Sequence, residues 1–221
     1  VISVAEWKGT VLASSSQAVE RRRHTPDVRR AMIVAAAQEA IVEDGFPATS
    51  ARSIAARCGI AVGTLTYHFD SIDALLVEAL KDASERMTDD IATAVARESG
   101  AVARLRRLVK DALPDTEGAR RAWRLWLEYW ARAAHSPALA HMHSERYQVW
   151  RNLVLSILED GVEAGELMVP DPALTTSRLV ALIDGLGLQT AIGDRNMTIA
   201  EARSILFTTI DGLVTPSSPA R

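Results

Sequence analysis

Two groups of side chains in this 221-residue chain have the types and spacing to do chemistry, and in both cases the chemistry is recognition. The first is Val62-Gly63-Thr64-Leu65-Thr66-Tyr67-His68, with the Thr49-Ser50 hydroxyls, Arg52 and the run Arg21-Arg22-Arg23 as accompanying polar groups. Short hydroxyls, a phenol and an imidazole suit phosphate oxygens and base edges at close range. The second is Trp123, Trp126 and Trp130, whose i, i+3, i+7 spacing puts them on one helix face. Four of the five tryptophans fall between residues 123 and 150, where Trp150 joins the three, and Glu128, Tyr129, His135 and Tyr147 are the polar groups among them. Such aromatic surface is either core packing or the wall of a pocket for an apolar or cationic compound. The two readings can coexist, because a pocket is a core with a gap.

Other chemistry finds no residues to carry it. His141-Met142-His143 with Glu145 has the composition of a metal cluster, but residues two apart on a helix point about 200° apart, so both imidazoles cannot meet one ion. Cys58 reads as a small apolar side chain, since a reactive thiol needs exposure and a positive neighbourhood. No glycine-rich phosphate loop follows a strand, and no nucleophile elbow or placed carboxylate pair is legible. The expectation is therefore a protein that is not an enzyme, with no metal and no cofactor.

Helices must position both groups, because hydrophobic periodicity is helical nearly everywhere. Thr25-Pro26 opens a helix with Ile33, Ala36, Ala37, Ala40 and Ile41 on its inner face, stopping at Asp44-Gly45. Two short helices, near 50–58 and 62–68, flank Cys58-Gly59-Ile60-Ala61, and Gly59 sits where the sharp turn needs positive φ. Ser71 caps a long helix ending near Ser99-Gly100. Further helices run through 102–112, 123–134, 137–164, 172–192 and from Thr198-Ile199-Ala200-Glu201, which has the spacing of a reciprocal cap, through Ile210. The fold class is all-α with nine helices. The divisions are a basic-ended tail over 1–24, a helix-turn-helix domain over 25–70, and a ligand-binding and dimerisation domain over 71–221.

Composition agrees with that class. The chain is 48% hydrophobic and 24% charged with a net charge of −3, so any nucleic-acid contact must come from a local patch and not from global attraction. Residues 71–221 hold 17 basic and 21 acidic side chains, a net −4, whereas 1–70 hold 8 and 7, a net +1. One cysteine excludes an internal disulfide framework. No uncharged apolar run approaches the roughly 18 residues of a membrane span, and no export signal is legible, so a cytoplasmic location without membrane contact is expected.

The spacing of the helices over 27–70 is that of a helix-turn-helix, and the segment Asp44-Gly45-Phe46-Pro47-Ala48-Thr49-Ser50-Ala51-Arg52-Ser53-Ile54-Ala55-Ala56-Arg57-Cys58-Gly59-Ile60-Ala61-Val62-Gly63-Thr64-Leu65-Thr66-Tyr67-His68-Phe69 resembles the DNA-binding domain of the tetracycline-repressor (TetR) family. Trp126-Leu127-Glu128-Tyr129-Trp130-Ala131, Tyr147 with Trp150-Arg151, and Ile183-Asp184-Gly185-Leu186-Gly187-Leu188 are similar to the C-terminal half of BetI-like repressors. The resemblance implies that Thr49, Ser50, Thr64, Tyr67 and His68 grip phosphates, while Arg52, Val62, Gly63 and Thr66 lie against bases. Three positions depart from the family pattern: Ala61 replaces a capping Ser, Val62 a polar residue, and Ile72 a phosphate-binding Lys. The ligand set expected on this reading is Trp123, Trp126, Glu128, Tyr129, Trp130, Tyr147 and Trp150.

Self-association is expected through the helices near 172–192 and 198–214. Gly185 and Gly187 permit close approach there, Leu179, Ile183, Leu186 and Thr190 form the seam, and Ile205, Ile210 and Leu213 extend it. The reading is a homodimeric transcriptional regulator, a repressor released from a palindromic double-stranded operator by a small-molecule effector. That effector would move the 71–97 helix and change the spacing of two reading heads that must fit major grooves about 34–36 Å apart. The alternative is a helical small-molecule- or partner-binding protein whose DNA-reading head has degenerated.

Overall fold

The computed structural model describes residues 25–214, with Ala138 by its backbone alone; the expected tail over 1–24, its arginines included, lies outside the described residues. Among those residues nine α-helices form: α1 (Pro26–Asp44), α2 (Ala51–Arg57), α3 (Val62–His68), α4 (Ile72–Val95), α5 (Ala101–Ala112), α6 (Glu117–Ala133), α7 (Pro137–Glu163), α8 (Pro172–Ala191) and α9 (Ile199–Asp211). A 3-10 turn over Phe46–Ala48 links α1 to α2, and a lone antiparallel bridge joins Leu167 to Val214. None of the helices is long and apolar enough to cross a membrane.

Side-chain caps fix most of the helix starts. Thr25, Ser50, Ser71, Thr116, Ser136, Asp171 and Thr198 each accept from a backbone N–H in the first turn. Each such cap contributes about 1 kcal/mol. The Thr198–Glu201 pair forms the reciprocal cap its spacing predicts. Ala61 gives α3 no side-chain cap. Gly59 adopts φ +63°, so the turn between α2 and α3 uses the left-handed region that favours glycine. Two helix limits differ from expectation. α4 stops at Val95, where Arg97 and Glu98 donate three residues back to the Ala94 and Val95 carbonyls, and α6 begins at Glu117 behind the Thr116 cap, six residues before Trp123.

Two cores organise the bundle. The first joins Ile33, Ala37 and Ile41 of α1 to Ile54, Leu65 and Phe69, and to Leu75, Leu76, Ala79 and Leu80 of α4; Leu125 and Tyr129 of α6 and Leu139 of α7 close it. Seven-residue helices cannot persist in water alone, so this packing holds α2 and α3 in place. The second core takes Ile91 and Val95 from the far end of α4 and adds the inner faces of α5, α7, α8 and α9. The fourth helix therefore belongs to both.

The expected dimer seam is corrected here. Leu179, Ile183, Leu186 and Ile210 are buried within the second core, Gly187 lies beneath Trp123, and the Thr190 hydroxyl bonds back to the Leu186 and Gly187 carbonyls. The periodicity marked an apolar face correctly, but α8 has two. Its outer face carries Leu174, Ala181, Gly185, Leu188 and Ile192, with Ile192 64% exposed. On α9, Ser204, Ile205 and Thr208 are exposed, whereas Leu213 is half-buried.

Candidate functional site

The outer surface of α3 collects the first group of side chains. Val62, Gly63, Thr66 and Tyr67 are exposed, Tyr67 at 81%, while Thr64 and His68 are half-buried. Tyr67 and His68 stack edge to face with ring centroids 5.1 Å apart. Ser50 and Arg52 flank them from the start of α2, both exposed. Thr49 stands apart: it is buried, and its hydroxyl donates to the Gly45 carbonyl at 2.8 Å, so its side chain shapes the turn instead of facing outward. Arg57 is likewise occupied, by Glu43 and Asp44 at 2.5 and 2.9 Å. Cys58 is half-buried with its Sγ 3.8 Å from the Met32 carbonyl, and desolvation pushes its thiol up.

Arg30 ties this surface to α4. Its guanidinium donates to the His68 carbonyl at 2.5 Å and to the Glu78 carboxylate, with Nε at 2.9 Å, and it lies 4.2 Å above the Phe69 ring. One side chain on α1 thus joins the C-terminus of α3 to the first half of α4. Two turns further along α4, Ser84, Met87 and Thr88 line a cavity.

That cavity holds the second group. Trp123, Trp126 and Trp130 from α6, Tyr147 and Trp150 from α7, and Asp184 from α8 surround it, with Arg146 at its wall. Trp123 and Trp130 are 6.0 Å apart and nearly perpendicular, and Trp126 lies 5.8 Å from Trp130. The Trp123 indole N–H donates to the Ala112 carbonyl at 2.8 Å, which fixes the ring and satisfies the end of α5. Tyr147 donates its phenol proton to the Asp184 carboxylate. Burial raises the Asp184 carboxyl above the usual carboxylate range, and the Tyr147 hydrogen bond opposes that only in part. Burial, followed by the neighbouring Asp184, also pushes the Tyr147 phenol up. Arg146 is paired with Glu85 of α4 at 2.6 Å, so no cationic side chain of the described residues pairs with Asp184. His143 is packed by Trp126, Tyr129, Trp130 and Tyr147 at 5.0–6.5 Å, its Nδ1 is buried without a partner, and desolvation lowers its pKa. The free space is only about 30 Å³, room for a water or two.

Five of the seven expected ligand residues meet here, and two do not. The Tyr129 hydroxyl donates to the Leu139 carbonyl at 3.0 Å inside the first core. Glu128 and His135 line a separate open cleft beside Phe46, over which the Arg132 guanidinium stacks at 3.2 Å. Sequence reasoning missed Asp184, Arg146 and the α4 contributors. A signal for Asp184 existed, because it is the one charged residue between Val180 and Leu188. His141 pairs outward with Glu145 at 3.5 Å while His143 turns inward, as their spacing requires, and no group of ligating side chains that could hold a metal occurs among the described residues.

Comparison with known proteins points one way. Residues 33–79 match the family model of bacterial regulatory proteins of the tetR family, and residues 101–215 match that of the BetI-type transcriptional repressor C-terminal domain. The chain is 28% identical over 197 residues to the HTH-type transcriptional regulator BetI of Burkholderia thailandensis, covering 86% of this chain and 95% of that one. It is 29% identical over 161 residues to the regulator PksA of Bacillus subtilis, covering 72% and 77%. Among solved structures, a protein described as a transcriptional regulator from Saccharomonospora viridis, in complex with choline, superposes with a TM-score of 0.80 at 28% identity, covering 86% of this chain and all of that one.

Proposed function

The chain belongs to the TetR family of bacterial regulatory proteins with a BetI-type C-terminal half, and from that premise we propose that its effector is a compact alkylammonium cation seated among Trp123, Trp126, Trp130, Tyr147, Trp150 and Asp184. As a member it is a DNA-binding, ligand-binding transcriptional regulator and not an enzyme. The observation that carries the effector reading is Asp184, a half-buried carboxylate that lines the cavity with the indole rings and has a phenol as its hydrogen-bond donor. Ring faces attract a cation, most strongly when it is desolvated, and the carboxylate supplies the countercharge. The choline held by the Saccharomonospora viridis regulator supports the same class of ligand.

The free volume of about 30 Å³ is far below the roughly 300–1,000 Å³ of ordinary ligand pockets. An effector must therefore part the helices, and Ser84, Met87 and Thr88 make α4 one of the walls that moves. Movement of α4 shifts Glu78, which holds Arg30 and through it the end of α3. In a dimer this changes the distance between two copies of α3, and a coupling of a few kcal/mol suffices to release a palindromic operator. In our reading α3, Ser50 and Arg52 face DNA, with Ser50, Thr64, Tyr67 and His68 on phosphates and Arg52, Val62, Gly63 and Thr66 towards bases, while Thr49 acts only by shaping the turn. Residues 25–70 then form the reading unit and 71–221 the sensing and pairing unit, working in the cytoplasm where the operator lies. The pairing surface is the outer face of α8 with that of α9, because small Ala181 and Gly185 beside apolar Leu188 and Ile192 suit close helix contact.

Titration with choline and with its uncharged isostere 3,3-dimethylbutan-1-ol, read by tryptophan fluorescence and calorimetry, tests the effector reading. A desolvated cation–π contribution of about 2 kcal/mol corresponds to roughly 30-fold tighter binding of choline. Equal affinity for the two, or no binding of choline, overturns it. Ile192→Glu should shift the protein from dimer to monomer in sedimentation; an unchanged dimer rejects the assigned face.

A further inference from the structure

Three of the helices that wall the indole cavity also wall a second space. Ser84 and Thr88 of α4, Ala112 of α5 and Trp123 of α6 line the cavity. Their near neighbours, Ala83 and Ile91 on α4, Asp111 and Leu113 on α5, and Ala119 and Ala122 on α6, line an open cleft of about 480 Å³. Each helix therefore passes from one space to the other within about a turn. Met87 of α4 borders both. It is half-buried and packs against the second core. A methionine side chain is unbranched with three rotatable bonds, so it can swing aside by changing rotamer while the backbone stays in place.

The cleft has the volume of an ordinary ligand site, roughly 300–1,000 Å³, whereas the cavity behind Met87 has about 30 Å³. Small residues, Gly118 with Ala119 and Ala122, leave the α6 wall of the cleft without side chains that would fill it. Nor does the mouth repel a cation. Of its basic groups, Arg107 is paired with Asp111 at 2.6 Å, and Lys110 is matched by the exposed carboxylate of Asp90 across the cleft lining. The flank of the cavity between α4 and α7 is instead tied shut, by the Arg146–Glu85 ion pair at 2.6 Å. On the side of α5 and α6 the element shared by the two spaces is one flexible side chain.

We propose that the cleft between α4, α5 and the start of α6 is the vestibule in which the alkylammonium effector is first held, and that Met87 is the door through which it passes to the indole cavity. The effector then reaches Trp123 from the side of α4, so its entry and the displacement of α4 are one event. The chemical class of the ligand rests on the effector reading above; the route rests on the two spaces and the residue they share.

The test is stopped-flow tryptophan fluorescence with choline on the full chain, on Ala119→Phe and on Met87→Ala. Ala119 lines the cleft and not the cavity, so a phenyl ring there obstructs the path alone. Entry and exit should both slow, by about 10-fold, and in step, because an obstacle on a path raises one barrier for both directions. Met87→Ala removes the door, and both rates should rise. Rates unchanged in both variants overturn the route, as does an Ala119→Phe protein that binds choline more weakly with its on-rate intact. An on-rate raised by Glu85→Gln and indifferent to Ala119→Phe places entry between α4 and α7 and also overturns it. Acrylamide, a neutral quencher of indole fluorescence, separates this failure from failure of the effector reading. Its quenching should be slower in Ala119→Phe and faster in Met87→Ala. If choline binds none of the proteins while acrylamide follows both variants, the ligand class is wrong and the passage stands; if acrylamide is indifferent to both, the passage falls. Equal melting temperatures of Ala119→Phe and the parent check that the fold is intact, and Met87→Ala, with the opposite expected sign, decides the matter if they differ.

Discussion

Gly187→Ala should be disproportionately damaging. A Cβ built at Gly187 would stand 2.1 Å from Cζ2 and 2.3 Å from Cη2 of Trp123, well inside any tolerable contact. The obstacle is not a flexible side-chain tip. Trp123 is buried and held by its 2.8 Å hydrogen bond to the Ala112 carbonyl. To admit one methyl group the indole must shift by more than 1 Å, or α8 must move away from α6. Overpacking of this kind costs about 1–3 kcal/mol, and a lost buried hydrogen bond about 1–3 kcal/mol more. Ala in place of Gly inside a helix returns about 1 kcal/mol. The net is a destabilisation of about 1–5 kcal/mol, a drop of roughly 2–20 °C in melting temperature for a chain of this size. Displacing Trp123 also fills the effector cavity, so choline binding should fall at temperatures where the variant is still folded. Gly185→Ala is the control two residues away, because a Cβ there meets nothing within 4 Å in the protomer. It should leave the protomer core intact and act, if at all, on dimer strength. Thermal melts with fluorescence titration of choline decide the matter, and a Gly187→Ala protein as stable as the parent with unchanged choline affinity refutes the reasoning.

Three further outcomes follow from the site. Choline affinity should be full at neutral pH and fall as pH drops through the raised pKa of Asp184, a loss that sets in at higher pH than an ordinary aspartate would allow; protonation of His143, whose pKa burial lowers, adds loss in the same direction. Calorimetry over pH 4–8 checks this, and an affinity independent of pH down to 4 rejects the role of Asp184. Asp184→Asn, which can still accept from Tyr147, should bind choline about 30- to 150-fold more weakly, the low end of the roughly 2–5 kcal/mol for removing one partner of a desolvated charge pair. By linkage, a raised folded-state pKa stabilises below the unfolded value and loses that contribution as pH rises through the folded one, so the unliganded Asn variant should melt higher than the parent at pH 7; a lower melting temperature contradicts the account. Arg30→Lys cannot reproduce the fork to Glu78 and the His68 carbonyl, and it should weaken operator affinity and reduce the fold-release by choline together; a variant with normal release argues that α4 acts on α3 by another path.

Local signals made the reading head legible. Gly59, Ile54, Leu65 and Phe69 act within a few residues of one another, so their types and spacing carry the turn and its packing. Thr49 misled for the opposite reason: a surface-type hydroxyl finds its acceptor four residues back, and nothing in the sequence shows that it is taken. Periodicity placed three tryptophans on one face of α6, but could not say that α7 and α8 complete the cavity, since Tyr147 and Asp184 meet across 37 positions of chain. Tyr129 and Glu128 share the helix with the tryptophans, but the Tyr129 hydroxyl is taken by the Leu139 carbonyl and Glu128 lines the cleft beside Phe46. On α8 the apolar pattern fits two faces, and only the Trp123–Gly187 contact settles which turns inward.

The fourth helix carries a lesson for anyone building hybrids. Leu75, Leu76, Ala79 and Leu80 complete the hydrophobic interior of the reading head, and Leu125, Tyr129 and Leu139 cover it from beyond. A head transplanted at residue 70 onto a relative's sensor would arrive without its floor, and its two short helices would melt. A working chimera needs its splice after Leu80, with the donor's residues carried across at 125, 129 and 139. Operator preference in this chain is thus inherited together with part of the sensor.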